Sequence, residues 1–205
     1  MSEQVGPGAG ELGGRSSSSS SVDVGVSEQV GPGAGELGGR SPSSSSAEVG
    51  VSDLLVRSRR PADADALVAA LAGVHQRDAY PVRASRVTAE WLLDGTDVAW
   101  VAQLDGRVVG QVALVRADDA WELTRFFVAV DARGAGAGRA LLDVAEAWAD
   151  ADGVPMRLVV MQHNRDAQAV YERRGWQRDG STTADFFLDG SGVAPVLLRY
   201  SRPPG

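Results

Sequence analysis

A strand that runs directly into three closely spaced glycines constrains this chain more than any other feature of its sequence. The segment is VAVDARGAGAG, at residues 128–138. Glycine lets the backbone approach an anion closely, and the N-terminus of a following helix adds the positive end of its dipole. The flanking residues predict a strand over 121–130 and a helix over 139–151, so the segment between them is a predicted phosphate-binding loop.

The predicted helix over 139–151 is amphipathic. Its apolar face is predicted to hold Leu141, Val144, Ala145 and Trp148. Its polar face is predicted to hold Asp143, Glu146 and Asp150.

Three nucleotide-binding families use a strand, a glycine loop and a helix in this order, and the spacing distinguishes them. A phosphate-binding loop of the NTPase type needs a lysine after its last glycine, where this lysine-free chain has Arg139. A dinucleotide fingerprint, G-x-G-x-x-G, counted from Gly134, would require its third glycine at that same arginine. The spacing that fits is R-x-x-G-x-G, at Arg133, Gly136 and Gly138.

A second motif follows a predicted strand over 156–161. It reads N-x-x-A-x-x-x-Y-x-x-x-G-[FW], at Asn164, Ala167, Tyr171, Gly175 and Trp176. Together and in this order, the two motifs resemble the acyl-CoA pyrophosphate loop and the next segment of the GNAT superfamily of N-acyltransferases. The resemblance extends less specifically over residues 53–205.

This resemblance implies an α/β (α+β) fold, in which about four helices flank a mixed, partly antiparallel central sheet of about seven strands. The sequence predicts elements in the matching order β, α, α, β, β, β, α, β, α, β, β. Before the loop these are a strand over 54–57, a helix from Pro61, a helix over 89–93, and a hairpin of 98–104 with 107–115. Strands over 177–188 and 193–200 end the chain.

The resemblance also implies a site for acetyl-CoA as co-substrate. Backbone groups of 128–130 would pair with the pantetheine arm like an added strand, and 133–139 would hold the pyrophosphate. Val130 replaces a common proline and Ala137 a larger aliphatic residue, but neither change removes a backbone donor. The predicted cofactor residues are Phe127, Val128, Ala129, Val130, Arg133, Gly134, Ala135, Gly136, Ala137, Gly138, Arg139, Asn164, Ala167 and Tyr171.

Tyr171 and Glu122 are the predicted catalytic residues. A lysine-like amine costs about 4–5 kcal/mol to deprotonate at pH 7, so a nearby base is useful. By resemblance, Tyr171 is the general acid for the leaving thiolate and Glu122 the base, with His163 a lesser candidate. Each has a structural alternative: Tyr171 as core packing, Glu122 as an exposed strand residue, and Asn164 as a helix N-cap.

Charge and composition restrict the partners. The net charge is −7, of which residues 1–52 carry −4 and the remainder −3. An acidic domain argues against nucleic acid and anionic membranes and mildly favours a cationic acceptor. The chain has no cysteine and no apolar span, and we expect a cytoplasmic location and no metal site.

Residues 1–51 differ in composition from the remainder. Residues 2–26 and 27–51 are tandem copies of one Gly/Ser-rich unit that differ at three positions. With too little apolar surface to offset chain entropy, they predict a disordered tail. The predicted domains are therefore this tail and an acetyltransferase domain over 52–205.

The sequence thus predicts an N-acetyltransferase that moves an acetyl group from acetyl-CoA to a primary amine in a ternary complex. The acceptor is a small molecule or peptide, and a homodimer is a further expectation from the resemblance. Two alternatives stay open: a non-catalytic acyl-CoA sensor, and an interaction protein acting through its repeated tail. Acidic residues such as Asp78, Glu90, Asp94, Asp97 and Asp185 are either part of a polyamine site or scattered surface carboxylates.

Overall fold

The computed structural model describes residues 53–81, 83–184 and 194–205. The predicted tail over 1–51 lies outside these residues. Within them the strands are β1 (Leu54–Ser58), β2 (Val98–Leu104), β3 (Arg107–Arg116), β4 (Trp121–Val128), β5 (Met156–Met161), β6 (Gln177–Thr183) and β7 (Val196–Arg202). The helices are α1 (Ala64–Asp78), α2 (Ala89–Leu93), α3 (Ala137–Asp152) and α4 (Arg165–Arg173).

The predicted order of elements is confirmed, and most differences lie at their ends. The strand predicted over 121–130 stops at Val128 because Val130–Ala132 forms a 3-10 turn. The helix after it begins two residues earlier than predicted, at Ala137. The last two strands are Gln177–Thr183 and Val196–Arg202, and residues 185–193 between them lie outside the described part of the chain.

The seven strands form one sheet in the order β1-β2-β3-β4-β5-β7-β6. Only β4 and β5 run parallel among the described pairs, and the others are antiparallel. The predicted mixed, partly antiparallel sheet is therefore confirmed. Its single parallel pair follows from the crossover through α3, which brings β5 back beside β4 in the same direction.

Helices cover both faces of the sheet. On one face α1 and α2 pack in a buried cluster made of Leu67, Leu71, Val74, Tyr80, Leu92, Val101, Val108 and Phe127. On the other face α3 and α4 share a larger cluster that includes Leu141, Leu142, Val170, Tyr171, Trp176 and Tyr200. Arg59 fixes α2 by donating to the carbonyl oxygen of Leu93 (3.0 Å) and to Thr96 Oγ1 (2.8 Å).

The predicted faces of α3 need correction at two residues. Glu146 is buried, with 8% of its surface exposed, because it accepts hydrogen bonds from Trp176 Nε1 (2.9 Å) and Arg174 Nη2 (2.7 Å). Trp148 is 45% exposed, although its ring lies edge-on to Trp100 at 5.6 Å. Distant partners that helical spacing does not reveal therefore account for the burial of Glu146.

Candidate active site

The two parallel strands separate soon after they meet. Hydrogen-bonded register joins β4 to β5 only at Trp121↔Met156 and Glu122↔Arg157. Beyond this point β4 carries a bulge against β3, where the register shifts between Gln111 and Ala113. Bulges bend a strand and increase its local twist, which explains why β4 diverges from β5.

The separation leaves one edge of β4 without strand pairing near its end. Val128 lies opposite Gly110 of β3, and the N–H of Ala129 donates to the carbonyl oxygen of Val109 at 2.6 Å. Because successive residues of a strand direct their polar groups to opposite edges, Val128 directs its own N–H towards the split. Val128 belongs to the segment 128–130 that the sequence analysis assigned to the pantetheine arm.

The glycine loop connects this edge to α3. Gly134 and Gly136 both have φ of +83°, a left-handed conformation that favours glycine. Gly136 is the N-cap residue of α3, and the backbone at residues 134–136 is exposed. The first N–H groups of a helix have no acceptor within it, so the start of α3 offers donors to an anion beside these exposed residues.

The two arginines of the loop differ in their surroundings. Arg133 is an ion-pair partner of Asp78 at the end of α1, and only 7% of its side chain is exposed. Arg139 is 83% exposed, with its Nε 3.9 Å from a carboxylate oxygen of Asp143. The first arginine therefore attaches the loop to α1, and the second projects into solvent.

The second motif caps and packs α4. Asn164 is the N-cap of α4, and its Oδ1 accepts from the N–H of Ala167 at 3.1 Å. The capping alternative for Asn164 is thus present in the structure, while the predicted contacts of Asn164 and Ala167 with the cofactor stay predictions. His163, next to the cap, is exposed.

Tyr171 lies on α4 with none of its surface exposed. Its ring centroid is 5.5 Å from that of Trp176 and 6.2 Å from that of Tyr200. The hydroxyl of Tyr200 donates to Glu172 at 2.8 Å, and burial together with this bond raises the pKa of Tyr200 to about 12. The ring of Tyr171 therefore packs in the core, as the structural alternative predicted. The role of its hydroxyl as a general acid stays a prediction.

Glu122 lines a cavity of about 900 Å³. The cavity lies on the side of the sheet that carries α2, with walls from β4, β5, β6 and β7. Glu122 is half-buried there, opposite Arg157 in the register of β4 with β5. A carboxylate at the point where the strands separate is well placed to accept a proton from a molecule in this cavity.

A profile of the acetyltransferase (GNAT) family matches residues 65–176, more than half of the chain. The chain belongs to the GNAT family. An uncharacterized N-acetyltransferase of Mycobacterium tuberculosis is 35% identical over 97 residues, which are 46% of this chain and 62% of that protein. A protein of the same description from Mycobacterium bovis gives the same values. The match thus spans less than two thirds of these relatives.

Solved structures show the same fold. The ribosomal-protein-S18-alanine N-acetyltransferase of Escherichia coli superposes with a TM-score of 0.60 at 21% identity, over 75% of this chain and 95% of that one. Arabidopsis thaliana NAA60, in complex with a bisubstrate analogue, gives 0.57 at 20% identity over 74% and 98%. GNAT proteins use acyl-CoA as co-substrate and amines as acceptors. No helix among the described residues of this GNAT protein is long and apolar enough to cross a membrane.

Sequence reasoning missed one prominent residue of the GNAT domain's cavity, Arg125. It is the bulge residue of β4, with φ of +48°, and its guanidinium lies 5.2 Å from the ring centre of Trp91. Burial lowers the pKa of Arg125 from its usual range. The sequence contained one indication of this residue, an arginine within the apolar strand segment LTRFFV. It did not reveal the bulge that places the Arg125 side chain at the cavity.

Two of the acidic residues grouped by the polyamine hypothesis have partners within the protein. Asp78 pairs with Arg133, and Asp97 accepts from the backbone N–H of Arg116 at 2.7 Å. Asp185 lies outside the described residues. The cavity is instead lined by four arginines and two acidic residues: Arg86, Arg125, Arg157, Arg199, Glu122 and Asp179.

Proposed function

We propose that this GNAT protein is an N-acetyltransferase that transfers an acetyl group from acetyl-CoA to a primary amine within a ternary complex. One observation carries the proposal: β4 and β5 separate directly beside an exposed glycine loop at the N-terminus of α3. Family membership supports the reaction class. The names of the solved neighbours, which include N-acetyltransferases of proteins, support an amine acceptor.

The residues present fit an acyl-CoA. The unpaired edge of β4 around Val128 suits the amide groups of a pantetheine arm, which can add to it like a strand. Residues 134–138 suit the pyrophosphate, since residues 134–136 are exposed and the segment leads into the N-terminus of α3. Arg133 would act there by fixing the loop to Asp78, and Arg139 by adding charge from solvent.

Three groups of the chain would perform the transfer. Glu122 accepts a proton from the amine, directly or through water, so that the nitrogen lone pair can attack the thioester carbonyl carbon. The N–H of Val128 donates to the carbonyl oxygen as charge develops on it. When the carbon–sulfur bond breaks, the hydroxyl of Tyr171 donates its proton to the leaving thiolate, and the resulting phenolate takes up the second proton that the nitrogen loses as the amide forms. Acetyl-CoA supplies the activated acyl group.

Replacement of Tyr171 by phenylalanine separates an enzyme from an acyl-CoA sensor. We expect Tyr171→Phe to lower turnover about 100-fold, because loss of a general acid has an effect of that order. Affinity for acetyl-CoA should stay unchanged, since the ring is kept. The measurements are thiol release from acetyl-CoA with a panel of amines and calorimetric titration of acetyl-CoA.

Tyr200→Phe is the matched control. Tyr200 is also a buried tyrosine, its ring lies beside that of Tyr171, and its hydroxyl has Glu172 as a partner. Tyr200 also lines the cavity beside Glu122, but its hydroxyl is bonded to Glu172, so this variant should lose about 1 kcal/mol of stability with that hydrogen bond and keep its turnover. An unchanged rate in Tyr171→Phe would remove Tyr171 from the mechanism. Acetyl-CoA binding by the wild type without turnover of any amine would favour the sensor.

We further propose a cytoplasmic location, from the cysteine-free composition of the sequence, and a homodimer, from the family resemblance. The repeated tail over 1–51 is proposed to be dispensable for catalysis. Deletion of these residues should therefore leave acetyl-CoA affinity and turnover unchanged.

A further inference from the structure

The cavity beside Glu122 has an electrostatic character opposite to that of the domain. The domain after residue 52 carries a net charge of −3, yet the charged residues lining this cavity are four arginines against two acids. None of the described lining residues belongs to the glycine loop over 131–139. The positive charge of the cavity is therefore separate from the predicted pyrophosphate site.

Two of these arginines already have carboxylate partners. Arg157 donates two hydrogen bonds to Asp119, at 2.8 and 2.7 Å. Arg199 lies 3.7 Å from Asp179. Their charges are largely neutralised by surface acids, so they offer little to a ligand.

Arg125 is different. Its Nε and Nη1 atoms are buried and have no hydrogen-bond acceptor among the described residues. The guanidinium lies over the ring of Trp91. Trp91 belongs to the first turn of α2, where its backbone N–H donates to Oγ1 of the N-cap residue Thr88 at 3.2 Å. An arginine with buried, unsatisfied donors at the wall of a cavity costs free energy unless an acceptor arrives.

The groups that face Arg125 do not supply that acceptor through any described hydrogen bond. The positive charges of Arg59 and Arg86 act on Arg125, and the carboxylate of Asp94 acts on it with the opposite sign. Two neighbouring side chains also have buried donors that lack partners among the described residues: the hydroxyl of Tyr80 and Nε2 of Gln111. The region is thus rich in donors and poor in acceptors.

We propose that the acceptor of this enzyme is an amine that also carries an anionic group, as an α-amino acid does, and that Arg125 binds this group. The inference rests on the proposed acetyltransferase function and names the substrate class of the same site. Glu122 and Arg125 are three residues apart on β4, about 10 Å at the strand rise, and both line the cavity. The planar guanidinium matches a carboxylate with two parallel hydrogen bonds.

The test compares amines that differ in one anionic group. The full chain is given acetyl-CoA and one amine at a time, and thiol release is measured. The amines are the standard L-amino acids, their carboxamides, spermidine, kanamycin and a short peptide amide. We expect free amino acids to be acetylated in preference to their own carboxamides. Arg125→Gln should raise the KM of the preferred amino acid about 10- to 100-fold, as loss of a charged hydrogen bond does.

Two further variants distinguish recognition from folding. Arg125→Lys keeps the charge without the planar fork, and it should recover part of the lost affinity. Arg116→Gln is the matched control, because Arg116 also lies 5.2 Å from a tryptophan ring, that of Trp121, and lies outside the cavity lining. It should leave the preference for free amino acids unchanged. Melting temperatures report any loss of folding.

The results distinguish failure of the substrate assignment from failure of the acetyltransferase function. If carboxamides, spermidine, kanamycin or the peptide amide are acetylated as well as free amino acids, the inference is overturned and the acetyltransferase function stands. The same conclusion follows if Arg125→Gln keeps the wild-type preference. If the folded protein acetylates no amine of the panel, the proposed function and the inference both fail.

Discussion

At the scale of single residues, Gly110 is a close contact between β3 and β4. A Cβ at this position would lie 2.5 Å from the carbonyl oxygen of Phe127 and 3.1 Å from the Cα of Val128. Both are backbone atoms, so the strand that carries the proposed thioester donor would have to shift. We expect Gly110→Ala to lower the free energy of unfolding by about 1–3 kcal/mol, as overpacking does.

Gly73→Ala provides the comparison for chemical denaturation. Gly73 lies within α1, where a Cβ would meet no described heavy atom within 4 Å. This variant should gain about 0.5–1 kcal/mol, because alanine favours a helix interior. Equal stability of Gly110→Ala and the wild type would show that the two strands are less closely packed than in the structure.

At the scale of elements, the N-terminus of α3 is the proposed anion site. Gly136→Glu places a carboxylate and a left-handed non-glycine residue at the N-cap of α3, so we expect it to weaken acetyl-CoA binding by more than about 10-fold. Gly153→Glu is the matched control, since Gly153 is the C-cap of the same helix with φ of +68°. α3 has 16 residues and is about 24 Å long, so this charge lies far from the loop.

Calorimetric titration of acetyl-CoA into both variants separates the two ends. Each should lose about 1–2 kcal/mol of stability from backbone strain, but only Gly136→Glu should lose affinity. If both variants bind as the wild type does, the loop does not hold the pyrophosphate. If both lose affinity equally, the effect comes from α3 stability and the loop has no special role.

At the scale of the whole molecule, the sequence predicted the order of elements and the mixed sheet because these depend on local signals. Hydrophobic periodicity and the Asp105-Gly106 turn were sufficient for α2, for β5 and for the hairpin of β2 with β3. Long-range contacts were not predictable. Burial of Glu146 depends on Arg174 and Trp176, which approach α3 only after the chain has folded.

In the candidate site, too, the local motifs could be predicted from the sequence and the long-range contacts could not. The glycine loop and the second motif are local patterns, and family resemblance assigned them a cofactor. Arg125 was not predictable, because its position depends on a bulge in β4 and on Trp91 of α2. The acidic net charge pointed to a cationic acceptor, whereas the cavity is lined mainly by arginine among its charged residues. Net charge describes the surface as a whole and does not determine one pocket.

The split between β4 and β5 as the acyl-CoA site is the central claim, and amide hydrogen exchange of the full chain with and without acetyl-CoA tests it most directly. We predict slower exchange for peptides covering the end of β4 and the glycine loop, residues 126–139, because the N–H of Val128 and the loop donors gain acceptors. The hairpin of β2 and β3 around Asp105-Gly106 should exchange at the same rate in both states. Binding of acetyl-CoA that leaves residues 126–139 unprotected would contradict the account, and so would the absence of binding.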